Sequence, residues 1–382
     1  MFSNRTAWKL TPNRFTLAHE ELVRQGREIL DLTVSNPTRA SFSYDETAIL
    51  DALRNPTSLD YDPQPKGLGS ARKAVANCYD AGIDSDSLVL TSSTSEGYSY
   101  VFRLLCNSED EVLVPKPSYP LFDFLADLQD VKLVPYPLIY DHGWQIDFPT
   151  LEQALTPKSR AIVLVHPNNP TGSFISAEER ARLNQLCRER NLSLIVDEVF
   201  LDYAHDGCQH ETFASNDQAL TFTLSGLSKI SGLPQLKLAW IAVSGPQKEA
   251  TEAMQRLEIL ADTYLSVSAP VQLAAKTMLD QRLKLRPQLI HRIQTNLSEL
   301  DLQLAKQKSC TRLTLQGGWY AVLRVPVTRS DEDLAIELLT QKSVLVHPGH
   351  FYDFPTDGFL VLSLITPEAT FHEGISRLLM AI

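Results

Sequence analysis

Three polar clusters in this chain each follow an apolar run directly. His166-Pro-Asn-Asn-Pro-Thr-Gly172 comes after the run 161–165, Asp197-Glu198 after 194–196, and Ser225-Gly-Leu-Ser-Lys229 after 220–224. In open α/β sheets ligands sit beyond the carboxyl ends of the strands, so these stretches would bring an amide, a carboxylate and an amine to one edge. A lysine amine so placed can form an imine with a carbonyl once burial or a neighbouring charge tunes it. Taken alone, a lysine after a serine is more often a solvated side chain. The Asp197 carboxylate lies between two apolar stretches, where an unpaired charge is costly unless a cation reaches it. A pyridinium nitrogen is one such cation, and the pairing would keep a pyridine ring able to accept electrons from a breaking bond at a substrate α-carbon. A helix cap or a structural ion pair would account for Asp197 equally well.

Asn169 lies 28 residues before Asp197 in a turn-forming Asn-Asn-Pro-Thr-Gly stretch. Its amide can donate to a phenolate oxygen on such a ring, or it can serve only the turn. The stretch 91–96, Thr-Ser-Ser-Thr-Ser-Glu, precedes a helical pattern, so its N–H groups and hydroxyls can cradle a phosphate or simply cap the helix. Lys237, eight residues after Lys229, opens an apolar run and can add positive charge for that phosphate or stand as an ordinary solvated lysine. Gly67-Leu-Gly69 does not extend to a dinucleotide fingerprint, and no phosphate-loop lysine motif is present, which sets NAD and ATP aside. His205, Cys208 and His210 match no common zinc spacing, and Trp319 reads as core.

The elements that must position these residues follow from the pattern. Between about residue 85 and residue 245, β-rich runs alternate with helical patterns, which is the signature of parallel strands joined by helices. Ser176 and Glu179 form a capping box at one helix start. Residues 238–243 read as a further buried strand, residues 270–308 as helical and charged, and the last seventy as mixed strands and helices. The first forty residues have no core of their own and are expected to pack on that final part. The chain has 382 residues and a net charge of −11. Its length predicts two packed units, and its charge opposes binding to nucleic acid or anionic lipid. Five scattered cysteines and no long apolar run point to a cytoplasmic protein without a membrane span.

In this order and spacing, N-N-P-T-G at 168–172, D-E-V-F at 197–200 and S-K at 228–229 resemble the fold-type I aminotransferases of class I and II, over nearly the whole chain. The resemblance implies a pyridoxal 5′-phosphate cofactor held by Lys229 as a Schiff base, with Asp197 on the ring nitrogen and Asn169 on the ring oxygen O3′. It places Ser93, Thr94 and Ser95 at the phosphate, with Ser228 and Lys237 also in the cofactor site, and Tyr119 on the ring face. Tyr61 matches a tyrosine that reaches the neighbouring subunit's phosphate, which implies a homodimer with shared sites. Gly317-Gly-Trp-Tyr320 resembles the start of the small domain's sheet.

Four positions depart from the family's commonest pattern. Gly226 stands for a serine, Lys237 for an arginine, Phe200 for a tyrosine, and Val361 for the arginine that clamps a substrate α-carboxylate. Either Arg39, beside Asn36 in the Ser35-Asn-Pro-Thr38 loop, supplies a replacement, or the substrate presents something other than a free α-carboxylate. His347 and His350 lie in a stretch that approaches the cleft in relatives, where a structural role is the simpler account.

The expected architecture is an aminotransferase-like three-layer α/β sandwich with a mainly parallel sheet over residues 41–280, and a smaller α+β domain built from 1–40 and 281–382. The expected function is amino transfer between a small-molecule amino donor and a keto acid, with no metal. A lyase or decarboxylase using the same cofactor is the alternative, since the orientation of the breaking bond decides the reaction. A non-catalytic ligand-sensing domain is a third reading, opposed by the acidic charge and the want of an N-terminal helix-turn-helix.

Overall fold

The computed structural model describes residues 1–205, 207–208 and 210–382. In chain order its strands are β1 (Leu30–Asp31), β2 (Leu88–Thr91), β3 (Glu111–Lys116), β4 (Lys132–Tyr140), β5 (Trp144–Ile146), β6 (Ser159–Val165) and β7 (Ser193–Asp197). They continue with β8 (Thr221–Gly226), β9 (Ala239–Ser244), β10 (Thr311–Arg312), β11 (Tyr320–Arg324), β12 (Val344–Leu345), β13 (His347–Pro348) and β14 (Phe359–Ser363).

The large sheet runs β2-β9-β8-β7-β6-β3-β4-β5. Its centre, β4 to β8, pairs in parallel. Parallel strands covered on both faces read as near-continuous apolar runs, and 161–165 and 194–196 are 5% exposed or less. Alternate side chains point to opposite layers. Val163, Ile195 and Phe222 face the helices Thr94–Leu105 and Gln247–Tyr264, whereas Ile162, Leu194 and Val196 face Leu183 and Leu186 of the helix Ala177–Arg190. The Ser176–Glu179 capping box starts that last helix as expected. The run 238–243 departs from the parallel pattern, because β9 is antiparallel to β8, with Gly226 opposite Ala239. The chain between them stays at the edge where β8 ends, so β9 begins there and must run back.

The second sheet, β10-β11-β14-β13, is antiparallel. Its core joins Leu289, Ile293 and Leu300 of the helix Arg282–Leu304 to Phe371 and Ile375 of Glu368–Leu379. The first residues pack there too. Phe15 and Leu22 of the helix Arg14–Arg24 meet Ala335 and Leu339, β1 pairs with β12 in parallel, and Leu32 is fully buried. Full burial of one such side chain contributes roughly 1.5–3 kcal/mol, which this N-terminal segment, without a core of its own, gains only by packing on the second unit. Among the described residues, no helix is long and apolar enough to cross a membrane.

Candidate active site

The carboxyl ends of β6, β7 and β8 open on one cavity of about 300 Å³, together with the turn after β2. Ser93, Thr94, Ser95, Tyr119, Asn169, Asp197, Phe200, Ser228, Lys229, Lys237 and Tyr320 line it.

Lys229 sits in the short helix Leu227–Ile230, whose position is fixed when the Tyr203 hydroxyl donates to the Lys229 carbonyl at 2.7 Å. Its amine lies 4.9 Å from the Trp319 ring centroid and 5.5 Å from that of Phe200. Burial among them lowers the lysine to about 8, and nearby Asp197 opposes the shift only in part. Asp197 is the last residue of β7 and 8% exposed. Burial raises it to about 6, against the bonds it accepts from the Val199 N–H at 3.1 Å and the Tyr98 hydroxyl at 3.3 Å. Among the described residues no basic side chain stands within salt-bridge distance of it. A buried carboxylate without a bonded cation suits a ligand that brings one.

The two asparagines of the 168–172 turn divide the work. Asn168 donates to the Pro117 carbonyl at 3.0 Å and to Thr171 at 2.8 Å, accepts from Ser118 at 3.0 Å, and its carbonyl accepts from the Gly172 N–H at 2.7 Å. Gly172 has φ 68°, and a Cβ there would stand 2.0 Å from Leu315 and 2.4 Å from the Gly317 carbonyl, so only glycine closes this turn. With the turn held by its neighbour, Asn169 faces the cavity, its buried Oδ1 without a hydrogen-bond partner.

At the end of β2, Ser93 caps the helix Thr94–Leu105 by accepting from the Glu96 N–H at 3.2 Å, while Glu96 accepts from the Ser92 N–H at 2.6 Å. The first-turn N–H groups of Thr94 and Ser95 have no intrahelical acceptor and suit an anion beside Lys237. Lys237 ends the short turn Pro234–Leu236 in a left-handed conformation, φ 52° and ψ 57°, which costs a non-glycine residue of order 1–3 kcal/mol and sets its side chain on the cavity wall. Gly226 has a packing cause: a Cβ there would lie 2.8 Å from the Ala239 Cβ and 3.0 Å from the Leu238 carbonyl. The close pairing of β8 with β9 therefore excludes a serine. Phe200 is 3% exposed and packs edge-on against Trp319 at 5.2 Å, and Trp319 is core as expected.

Other expected residues lie elsewhere. Arg39 ends the turn Pro37–Arg39 on the surface, outside the cavity lining, and Asn36 spends its carboxamide oxygen on the Thr38 N–H at 3.1 Å and hydroxyl at 2.8 Å. Ser35, on the other side of this turn, meets the cavity instead. Val361 is 1% exposed and lies opposite Val322 and His347, two residue pairs beyond the Tyr320–Ser363 pair. It shares the sheet face of Tyr320 without reaching the cavity, and His347 bonds the Tyr352 hydroxyl at 3.1 Å. Tyr61 is 84% exposed and borders a separate cavity of about 520 Å³ with Tyr100 and Gln272. His210 stacks on Phe174 at 4.7 Å; positions 206 and 209 of that loop lie outside the described residues.

Tyr98 was not among the expected site residues. It follows Thr94 by four positions on one helix, and this spacing, which places both on the same helix face, was the signal that could have found it.

The family model for aminotransferase class I and II matches residues 27–378. Glutamate-pyruvate aminotransferase AlaA of Haemophilus influenzae is 30% identical over 91% of this chain and 89% of its own length. An alanine aminotransferase of Mycobacterium tuberculosis is 28% identical over 94% and 86%. Among solved structures, an aminotransferase from Escherichia coli superposes with a TM-score of 0.86 at 26% identity, covering 99% of this chain and 96% of the other. An alanine aminotransferase from Pyrococcus furiosus shares the fold with a TM-score of 0.87 at 23% identity over 99% and 98%.

Proposed function

This chain belongs to the aminotransferase class I and II family, and from that premise we propose that pyridoxal 5′-phosphate occupies the cavity at the carboxyl edge of β6–β8, with Lys229 as its covalent anchor. The protein is an aminotransferase, moving an amino group between an amino donor and a keto acid. The observation that carries the cofactor assignment is the pairing, in one cavity, of a buried amine with a buried carboxylate that lacks a bonded cation. We take 41–280 as the large, cofactor-binding domain and 1–40 with 281–382 as the small one, a division supported by the packing of Phe15, Leu22 and Leu32 on the second unit. The five free cysteines support a reducing, cytoplasmic setting.

Bound there, the cofactor would supply an electrophilic carbon and an electron-withdrawing ring. Asp197, charged above about 6, would answer the ring nitrogen, and Asn169 would meet the ring oxygen. Ser93, Thr94, Ser95, Ser228 and Lys237 would hold the phosphate end, and Tyr119 would cover the ring face. Lys229, lowered to about 8, keeps a neutral fraction near neutral pH that a solvated lysine lacks, so it can take and return the proton at the substrate α-carbon.

The donor's carboxylate is held weakly in this reading. The cations lining the cavity are Lys229 and Lys237, both of which the cofactor would engage, so neutral groups such as the hydroxyls of Ser35, Tyr119 and Tyr320 would face the donor on the remaining wall. A neutral hydroxyl bond has roughly half the strength of a charge-assisted one. The names of the relatives make alanine, glutamate and pyruvate the first substrates to assay. Keto acid should form, without stoichiometric ammonia or carbon dioxide, with KM for alanine and glutamate above the ordinary ceiling of about 1 mM. Alanine amide should react within about tenfold of alanine in kcat/KM. Mass spectrometry of the products identifies the reaction, and a preference for the free acid of about a hundredfold would refute the weak carboxylate grip.

We also propose a homodimer in which Tyr61 reaches the partner's cofactor phosphate. Its exposure, with that of Leu59 at 90%, and its separation from the cavity of its own chain support this. Mixing inactive Tyr61→Ala and Lys229→Ala proteins should restore activity, because one site of each hybrid then holds both intact residues. Sedimentation as a monomer at micromolar concentration, with no restored activity, would refute shared sites.

A further inference from the structure

On the reading that Asp197 answers the cofactor's ring nitrogen, we propose that Tyr98 is a positioning residue that keeps the Asp197 carboxylate oriented and charged. Tyr98 is 2% exposed, and its hydroxyl stands 3.3 Å from Asp197 Oδ2, while the Val199 N–H occupies Oδ1 at 3.1 Å. With one oxygen bonded to backbone and the other facing a phenol, rotation of the carboxylate plane is restricted at both ends. The phenol is itself immobile: its ring packs edge-on against Phe122 at 5.3 Å and tilted against Phe102 at 6.0 Å, between the sheet and its own helix.

The bond also has a sign. A hydroxyl donating to a carboxylate stabilises the ionised form and gives the protonated form no comparable help. At Asp197 this opposes the desolvation that pushes the group upward. The other titratable groups whose charge bears on Asp197 are Lys229 from the helix after β8, Tyr119 from the turn after β3, and Glu198, its neighbour in the chain. Lys229 favours the ionised carboxylate, and Glu198 when ionised opposes it. In the proposed complex Lys229 is bonded to the cofactor, so Tyr98 and Val199 remain as the donors that this chain supplies to the carboxylate.

The test is the affinity of the cofactor-free protein for pyridoxal 5′-phosphate, followed by tryptophan quenching from about pH 5 to about pH 9, a window that brackets the carboxyl titration. Titrations of the ligand itself are common to all variants and cancel in the difference. Tyr98→Phe keeps the ring and removes only the hydroxyl. The pH at which affinity breaks should rise by about one unit, so affinity should fall by about tenfold on the acid side of the break and by about twofold near neutral pH. In an Asp197→Asn background, Tyr98→Phe should change affinity by less than about twofold. A variant that loses affinity equally at every pH, or loses it in both backgrounds, shows a purely structural tyrosine and overturns the proposal. If Tyr98→Phe fails to fold, site-specific 3-fluorotyrosine at position 98, a stronger donor of nearly the same shape, should move the break downward; an unmoved break overturns the proposal. Wild-type protein with no saturable binding of the cofactor would instead overturn the functional reading and this inference with it, an outcome distinct from an unmoved break.

Discussion

Lys229→Ala protein should fold, hold no cofactor covalently, and lose amino transfer by at least about four orders of magnitude. Two losses combine in one side chain. The amine is the covalent anchor, and it is also the group placed to shuttle the α-proton, a role that by itself contributes about 10²–10⁴-fold. Folding should survive, because burial disfavours the charged amine, lowering it to about 8, and removing it relieves that cost while leaving Trp319 and Phe200 in place. Borohydride treatment followed by peptide mapping should find the cofactor on Lys229 in wild type and on no lysine in the variant. Small primary amines added to the assay should restore part of the activity. Reduction that fixes the cofactor to another lysine would overturn the assignment.

Asp197→Asn should reduce turnover by about a thousandfold or more, since the ring nitrogen then loses the charge that keeps it protonated, and cofactor affinity should fall as well. The same change should stabilise the cofactor-free protein at neutral and alkaline pH. Asp197 titrates near 6 in the folded chain against an ordinary 3.8 because it is buried. As pH rises from about 4 to about 6, the unfolded chain gives up a proton that the folded chain retains, so folding stability falls through that window. Above it the full deficit remains, at most about 3 kcal/mol. An amide does not titrate there. Urea unfolding at about pH 4 and about pH 8 should therefore show Asp197→Asn gaining on wild type as pH rises. A variant that is less stable than wild type at the higher pH would contradict the cost assigned to this buried charge.

Both residues are legible in the sequence, for a reason that lies in the sheet. Central parallel strands are covered on both faces and read as near-continuous apolar runs, broken only by small buried hydroxyls such as Thr221 and Thr223 in β8. The first polar residue after such a run therefore marks the carboxyl edge, and Asn169, Asp197 and Lys229 follow three neighbouring runs. Thr94 and Ser95 are legible through the cap of the helix they open. Val361 is legible as a departure from the family, but its burial two residue pairs beyond Tyr320 comes only with the register of β11, β13 and β14.

The residues themselves, by type and order, determined the layered α/β fold and the amine, carboxylate and amide that meet at one edge, because strand and turn patterns are local properties of the chain. Tertiary structure alone decided what depends on distances between segments far apart in sequence. It decided that β9 turns back against β8 and so leaves room only for glycine at 226. It placed Ser35 rather than Arg39 at the cavity, because the turn Pro37–Arg39 carries the guanidinium to the surface. It also set a tyrosine hydroxyl from the helix after β2 on the carboxylate that ends β7, 99 residues further along the chain. Periodicity assigns Tyr98 to the buried side of its helix; only the packing of that helix across the sheet determines which buried acceptor its hydroxyl meets.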